Sequence, residues 1–165
     1  FVNKKLSNRE IDFFYKENSK IFNNSTILIS GAGGSIGSEL CKQISLFKPK
    51  KIILFELSEI NLFNITNEIN RIKSIEVEVI SILGNVNNYL FLEKVFEIYN
   101  PQIVFHAAAI KHVSIAENNI LQCAETNIMG SKNIMSLSCG YCFRFVISLQ
   151  PFVRIFFLHH LIRLH

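Results

Sequence analysis

The feature that most constrains this chain is an apolar run that leads directly into a glycine-rich turn and then an amphipathic helix. The run covers residues 26–29, and four glycines fall between residues 31 and 37. After the turn, apolar side chains recur every four residues, at Ile36, Leu40 and Ile44. This periodicity is typical of a helix with one buried face. The pattern therefore predicts a strand, a tight turn and a helix in immediate succession.

The glycines of this turn fit the contacts that a dinucleotide needs. Gly31 permits the tight turn, Gly33 and Gly34 let a pyrophosphate approach the backbone, and Gly37 lets the helix pack on the strand. A second apolar run ends in Glu56, about 20 residues beyond the turn, where the acid that binds the adenosine ribose is expected. We predict a dinucleotide site; the alternative is a glycine-rich turn in another doubly wound protein.

Length and composition indicate one globular unit. The chain has 165 residues, of which 49% are hydrophobic, so disorder is excluded. The net charge of +4 comes mainly from residues 139–165, which hold three Arg and no acid, and no nucleic-acid surface is predicted. The sequence lacks the roughly 18 apolar residues in a row that a membrane span needs. A cytoplasmic location is therefore predicted, although a membrane anchor upstream stays open because the chain begins with Phe rather than Met.

The cysteines carry little functional signal. Without a secretory leader, Cys41, Cys123, Cys139 and Cys142 are expected to be reduced thiols. Cys139 and Cys142 have zinc-ligand or redox spacing, but no second ligand pair accompanies them, so a metal role remains only the alternative.

Helical and strand patterns alternate along the rest of the chain. Residues 1–24 form a predicted lead-in segment with a short helix at 11–20, and residues 25–148 form the predicted domain. Further helices are predicted at 58–72, 89–99 and 114–138, and further strands at 76–83, 102–107 and 144–148. This order, with right-handed crossovers, predicts a doubly wound parallel α/β sheet.

Four blocks of sequence resemble one family closely. They lie at residues 31–40, 54–62, 104–113 and 126–130, and the third reads Val104-Phe-His-Ala-Ala-Ala-Ile-Lys-His-Val113. Together they resemble the extended short-chain dehydrogenase/reductase superfamily, and within it the CapD-like nucleotide-sugar 4,6-dehydratases of polysaccharide biosynthesis. The resemblance implies a Rossmann-like fold, NAD or NADP as cofactor, a nucleotide-sugar substrate, and homo-oligomers in intact members.

The resemblance also assigns roles to the cofactor-binding residues. It implies that the pyrophosphate is held by Gly31, Gly34, Ser35, Ile36 and Gly37. Glu56 would take the adenosine ribose and favour NAD over NADP, since its carboxylate repels a 2′-phosphate. Asn85 and Val86 would lie beside the adenine, although Asn85 replaces the usual aspartate.

The third block contributes residues to the same predicted site. Ala107 and Ala108 would meet the cofactor backbone, and Lys111 would reach both the cofactor and the sugar nucleotide; the alternative for Lys111 is a solvated loop lysine. His106 and His112 are expected to be structural. Asn127, in the fourth block, is expected to tie the fourth strand to its helix.

The catalytic residues of the family are missing where they are expected. A 4,6-dehydratase follows its fifth strand with Ser-Thr-Asp-Lys, whereas Ser148 is followed here by Leu-Gln-Pro-Phe-Val-Arg, with no carboxylate or lysine. Codons for the family's Ala-Val-Arg-Pro, read one base later, give Pro-Phe-Val-Arg. We therefore predict a frameshifted tail at 149–165, a sheet truncated after about the fifth strand with that strand as an exposed edge, and no turnover.

Two other functions stay open. The first is a nucleotide-sugar epimerase of the same superfamily, which shares this half of the fold. The second is a non-catalytic nucleotide binder whose tail contacts a partner or a membrane surface.

Overall fold

A computed structural model describes residues 20–72, 76–141, 145–148 and 156–158, the last two ranges as backbone. The strands are β1 (Thr26–Ser30), β2 (Lys51–Glu56), β3 (Glu78–Leu83), β4 (Ile103–His106), β5 (Phe145–Ser148) and β6 (Phe156–Leu158). The helices are α1 (Ser35–Ser45), α2 (Glu59–Ile72), α3 (Tyr89–Tyr99), α4 (Val113–Asn118), α5 (Ile120–Ala124), a π-helical turn (Glu125–Gly130) and α6 (Ser131–Gly140). The predicted helix at 11–20 lies outside the described residues, except for its last one.

The strands form one sheet in the order β3-β2-β1-β4-β5-β6. All neighbours from β3 to β5 are parallel, with Ile27 opposite both Ile52 and Ile103. The chain crosses from β3 to β4 on the other side of β1, so the order reverses between β1 and β4. In open sheets of this kind, ligands bind at the carboxyl ends of the strands at that reversal point.

Alternate residues of the central strands point to opposite faces, and each face is covered by helices. Ile27 and Ile29 pack with α1 and α2 residues such as Ile44 and Ile65. On the other face, Leu28 packs with α3 and α6 residues that include Leu92, Val95, Phe96, Ile134 and Leu137. Burial on both faces explains why these strands are continuously apolar. The predicted doubly wound, Rossmann-like fold is confirmed.

The buried face of α1 differs from the predicted one. Ile36 is 43% exposed, while Gly37, Cys41 and Ile44 are buried. Because a helix has 3.6 residues per turn, residues spaced four apart do not stay on one face. Gly37 packs closely against the preceding loop, and Ile36 therefore faces outward. Burial also raises the pKa of the Cys41 thiol, so this cysteine behaves as a core side chain.

The single long helix predicted over 114–138 is divided. Asn119 has φ and ψ angles of −138° and 51°, which lie outside the helical region and separate α4 from α5. The π-helical turn then inserts an extra residue before α6. Apolar periodicity alone reveals neither break; in the π-helical turn, the Asn127 side chain hydrogen-bonds to Ile110 in the loop after β4.

The expectation that β5 is an exposed edge strand is wrong, because a sixth strand pairs with its backbone. β6 pairs antiparallel with β5, with Val146 opposite Phe157. Residues 156–158 are three consecutive apolar residues, which favours strand pairing over an open edge. Elsewhere, the predicted strand at 76–83 begins at Glu78, and Asn100 in a left-handed conformation ends α3 before Pro101, as predicted. None of the helices in the described part of the chain combines the length and hydropathy that crossing a bilayer requires.

Candidate functional site

The site is built where the loops after β1 and β4 touch. Gly31 has a φ of +68°, and its amide donates to the carbonyl oxygen of Phe55 at 2.8 Å. A Cβ at Gly31 would lie 2.6 Å from the backbone nitrogen of Ala108. Any larger residue would therefore be strained and would also collide with the β4 loop. Only glycine lets the two loops close at the switch point.

The amino end of α1 opens onto this junction. Gly34 precedes the helix with no side-chain cap, and the first turn holds no acidic residue. Helix N–H groups in the first turn lack intrahelical partners and attract anions. A Cβ at Gly34 would meet only the Gly31 oxygen, at 3.3 Å, so this residue faces open space. The backbone N–H groups at this helix end are therefore not capped by a side chain and can bind a phosphate group.

Unlike Gly34, Gly33 and Gly37 pack against other residues of the chain. A Cβ at Gly33 would lie 2.5 Å from the Cβ of Asn61 in α2, and one at Gly37 would overlap the carbonyl oxygen of Gly31. Gly37 is buried behind the loop and lines neither cleft described below. Its role is to hold α1 against the turn, the packing role predicted for it, while the closeness of Gly33 to Asn61 was not foreseen.

Glu56 stands at the end of β2 and faces the glycine loop. Its Oε2 accepts from the Gly33 amide at 2.9 Å, and its Oε1 accepts from the amides of Leu57 and Ser58, each at 3.0 Å. The residue is 8% exposed. These backbone donors stabilise and orient the carboxylate; Oε1 uses both of its lone pairs on them, whereas Oε2 keeps a second lone pair for a ligand hydroxyl.

Two adjoining clefts share the strand ends. The first, here called the Glu56 cleft, has a volume of about 240 Å³ and is lined by Gly31, Gly34, Phe55, Glu56, Leu57, Asn61, Gly84, Asn85, Val86, Ala107, Ala108, Ala109, Ile110 and Thr126. The second, the Lys111 cleft, has about 350 Å³ and is lined by Gly34, Ser35, Ile36, Ala107, Ala109, Ile110, Lys111, His112 and Ile115. Gly34 lies between them, so together they form a path past the amino end of α1.

The loop that lines both clefts is anchored by Asn127. Its Oδ1 accepts from the Ile110 amide and its Nδ2 donates to the Ile110 carbonyl oxygen, both at 2.9 Å. Asn127 is buried within the π-helical turn, which directs its amide at the loop. The predicted tie between the fourth strand and its helix is therefore present, and it is made to the loop that follows the strand.

His106 is a buried link between three elements. Its Nδ1 and the Oγ of Ser30 lie 2.6 Å apart, and its Nε2 lies 3.1 Å from the Oγ of Ser131, which donates to the carbonyl oxygen of Asn127. Burial lowers the pKa of His106 to about 4. The neutral ring is thus a structural connection between β1, β4 and α6, as expected, whereas His112 is exposed before α4.

Acid is expected to destabilise the chain through His106. The pKa falls from 6.5 when unfolded to about 4 when folded. The stability contributed by the neutral ring is therefore complete above pH 6.5 and is lost as the pH falls from 6.5 towards 4. Between pH 7 and pH 5 the loss is about 2 kcal/mol. Urea denaturation should show that His106→Gln, which cannot take up the proton, loses about 2 kcal/mol less over this range; equal losses would contradict the assignment.

The structure brings most predicted site residues to the two clefts. Those at the Glu56 cleft are Gly31, Gly34, Glu56, Asn85, Val86, Ala107 and Ala108, and those at the Lys111 cleft include Ser35, Ile36 and Lys111. Asn61 and Thr126 were not singled out, although both lie in sequence blocks that carry the resemblance. Their approach to the cleft depends on helix placement, which local sequence does not reveal. Among the described residues, no cluster of three or more His, Cys, Asp or Glu could hold a metal.

Comparison with known proteins decides the family. The model of the polysaccharide biosynthesis protein family matches residues 27–150, which is most of the chain. The chain belongs to this family. The match begins in β1 and continues past β5, so it includes both clefts and all four sequence blocks.

The curated relatives include a capsular polysaccharide biosynthesis protein, a nucleotide-sugar dehydratase and a nucleotide-sugar epimerase. The chain is 40% identical over 116 residues to the capsular polysaccharide biosynthesis protein CapD of Staphylococcus aureus, covering 70% of this chain and 19% of that protein. It is 34% identical over 116 residues to a UDP-N-acetylglucosamine 4,6-dehydratase (inverting) of Campylobacter jejuni, covering 70% and 33%. A UDP-glucose 4-epimerase of Rickettsia massiliae is 28% identical, covering 70% and 33%. The chain thus spans about a fifth to a third of these relatives.

Solved structures share the fold. Pen from Bacillus thuringiensis superposes with a TM-score of 0.68 at 31% identity, covering 77% of this chain and 39% of that one. A UDP-glucose 4-epimerase from Stenotrophomonas maltophila, solved with NAD and a formylated UDP-arabinopyranose, gives a TM-score of 0.66 at 18% identity, covering 75% and 36%. The latter likeness concerns the fold alone.

Proposed function

We propose that this chain is the NAD-binding portion of a nucleotide-sugar 4,6-dehydratase of polysaccharide biosynthesis. The observation that carries the proposal is that the Glu56 cleft and the Lys111 cleft share Gly34 in their lining and so adjoin at the amino end of α1, which gives a path from Glu56 to Lys111. A dinucleotide has a ribose, a pyrophosphate and a second nucleoside in that order. The acid, the helix end and the second cleft follow the same order.

Each part of the path suits one group of the cofactor. Oε2 of Glu56 has a lone pair available for a ribose hydroxyl, and among the described residues no Lys or Arg lines the Glu56 cleft to offset a 2′-phosphate. This favours NAD over NADP. Gly34 and Ser35 would hold the pyrophosphate at the helix end, and Ile36 and Ile110 would cover the nicotinamide side. When bound, NAD would supply hydride acceptance and return.

Lys111 would orient the nucleotide sugar. It is exposed at the rim of the second cleft, beside His112 and close to the amino end of α1. A flexible ammonium group at this place can contact a diphosphate or a sugar hydroxyl. The substrate class proposed is a UDP-N-acetylhexosamine, supported by the 34% identity to the Campylobacter jejuni dehydratase. A cytoplasmic location is part of the same proposal.

In the 4,6-dehydratases that this chain resembles, an Asp/Lys pair after the fifth strand serves the elimination of water across C5 and C6, and residues 149–165 do not offer that pair. These residues contain no Asp, Glu or Lys. General acid–base catalysis by positioned groups contributes orders of magnitude to rate. We therefore propose that the chain binds cofactor without turning over sugar nucleotide.

Incubation of the purified chain with UDP-N-acetylglucosamine and NAD tests this proposal. The expected result is no 4-keto-6-deoxy product by mass spectrometry, with the Campylobacter jejuni dehydratase as the positive control. Formation of the product would refute the inactivity. Formation of UDP-N-acetylgalactosamine would instead identify an epimerase, the second candidate, which the 28% identity to a UDP-glucose 4-epimerase supports more weakly.

A further inference from the structure

The position of the proton on the His106 imidazole follows from the hydrogen bonds around the ring. The Ser131 hydroxyl has a single hydrogen, which it donates to the carbonyl oxygen of Asn127 at 2.6 Å. The Oγ of Ser131, 3.1 Å from Nε2 of His106, must therefore accept from an Nε2–H group. A neutral imidazole has only one N–H, so Nδ1 is an acceptor, and the Ser30 hydroxyl donates to it at 2.6 Å. These bonds specify the Nε2–H tautomer.

The side chains of Ser30, His106 and Ser131, with Asn127, form what is here called the His106 network, and each end of it meets a wall of the clefts. Ser30 ends β1 and directly precedes the glycine turn, which lines the Glu56 cleft. At the other end, the Asn127 carboxamide forms two hydrogen bonds with the backbone of Ile110, which lines both clefts. The two serines and the histidine are at most 4% exposed and line neither cleft. They can act on a ligand only through the two walls.

The two walls contact different parts of a dinucleotide. Under the proposed function, on which this step rests, the glycine turn binds the ribose and pyrophosphate, and the loop after β4 covers the nicotinamide side. Affinity then depends on how the two walls are held relative to each other by the residues behind them. We propose that Ser131 is a positioning residue for the cofactor, which fixes the Nε2–H tautomer of His106 and so holds the end of β1 against the π-helical turn.

Replacing Ser131 with alanine removes the acceptor of the Nε2–H group. The Nδ1–H tautomer is then favoured, because its N–H group still has the Ser30 hydroxyl as acceptor. Multiple-bond proton–nitrogen NMR spectra should show the Nε2–H form of His106 in the unaltered chain and a shift towards the Nδ1–H form in Ser131→Ala, with His106→Gln identifying the signals. The dissociation constant for NAD, measured by calorimetry on the full chain, is expected to rise about three- to tenfold in Ser131→Ala.

Ser138→Ala is the matched control. Ser138 is buried in the same helix, about two turns further on, and lines neither cleft. Its hydroxyl donates to the carbonyl oxygen of Ile134 at 2.6 Å, which is the same bond to the residue four positions earlier that Ser131 makes. The control deletes the same group and the same local bond while both serine bonds of His106 stay in place. The tautomer and the affinity for NAD should equal those of the unaltered chain.

Ser30→Ala breaks the His106 network at its other end. It removes the donor to Nδ1 but leaves the Nε2–H group bonded to Ser131. We therefore expect NAD to bind about three- to tenfold more weakly with the Nε2–H tautomer retained. This variant supplies the same binding test if Ser131→Ala does not fold.

The outcomes separate this inference from the proposed function. Equal NAD affinity in Ser131→Ala and Ser138→Ala, or an Nδ1–H ring in the unaltered chain, overturns the role of Ser131 and leaves the proposed function standing. Failure of the unaltered chain to bind NAD overturns the proposed function and the positioning role with it.

Discussion

Replacing Glu56 with glutamine is expected to weaken NAD binding by about ten- to a hundredfold, the range for loss of a charge-assisted hydrogen bond. Three backbone amides, from Gly33, Leu57 and Ser58, converge on the carboxylate. A glutamine has only one acceptor atom, so its amino group would face at least one of these donors. The glycine loop or the turn after β2 would lose its acceptor, and the ribose would lose a carboxylate.

The same variant should also narrow the preference for NAD over NADP. Without the negative charge, a 2′-phosphate is no longer repelled, and the ratio of the two dissociation constants is expected to fall about tenfold. Calorimetric titration with each dinucleotide measures both effects. Glu59→Gln is the matched control, because Glu59 is exposed in the first turn of α2 and lines neither cleft. Equal NAD affinity in Glu56→Gln and Glu59→Gln would remove Glu56 from the site.

Replacing Gly37 with alanine is expected to lower the free energy of unfolding by about 3 kcal/mol, because the new methyl group overpacks against backbone. It would overlap the carbonyl oxygen of Gly31 and lie 3.0 Å from the Cα of Ala32. Backbone atoms cannot move aside as a flexible side chain can. The helix α1 must therefore shift from the turn, which would also disturb its amino end.

Two other glycines provide the comparison. A Cβ at Gly140 meets nothing within 4 Å, so Gly140→Ala should change stability by less than about 1 kcal/mol. Gly34→Ala should lower stability by about 1 kcal/mol, less than Gly37→Ala, because its φ of −72° suits alanine but alanine is a poor N-cap and its Cβ would lie 3.3 Å from the Gly31 oxygen. It should also weaken NAD binding by placing a methyl group between the two clefts. Thermal and urea denaturation of the three variants tests the stability order. A Gly37→Ala protein as stable as Gly140→Ala would contradict the packing role.

The sequence pattern predicted those parts of the fold that depend on residues close to one another in the chain. The passage from β1 through the turn to α1 follows from an apolar run, glycines and helical spacing, all within a few residues. Glu56 follows from its place at the end of the next strand. The resemblance assigned residues after β1, β2, β3 and β4 to one cofactor site. Because parallel strands end at one edge of the sheet, these residues lie together at the two clefts.

The remaining features depend on contacts between distant residues. The packing of Gly33 on Asn61 requires the position of α2, and the π-helical turn places Asn127 where it hydrogen-bonds to Ile110 of the β4 loop. The pairing of β6 with β5 joins a segment whose composition differs from that of the rest of the chain.

Titration of the purified chain with NAD by isothermal calorimetry tests the proposed function most directly. The expected result is one saturable site per chain, with NADP bound at least about tenfold more weakly because its 2′-phosphate would lie against Glu56. Saturable binding that is weakened about ten- to a hundredfold in Glu56→Gln and unchanged in Glu59→Gln would place the cofactor in the Glu56 cleft. Absence of saturable NAD binding by the folded chain would contradict the proposal.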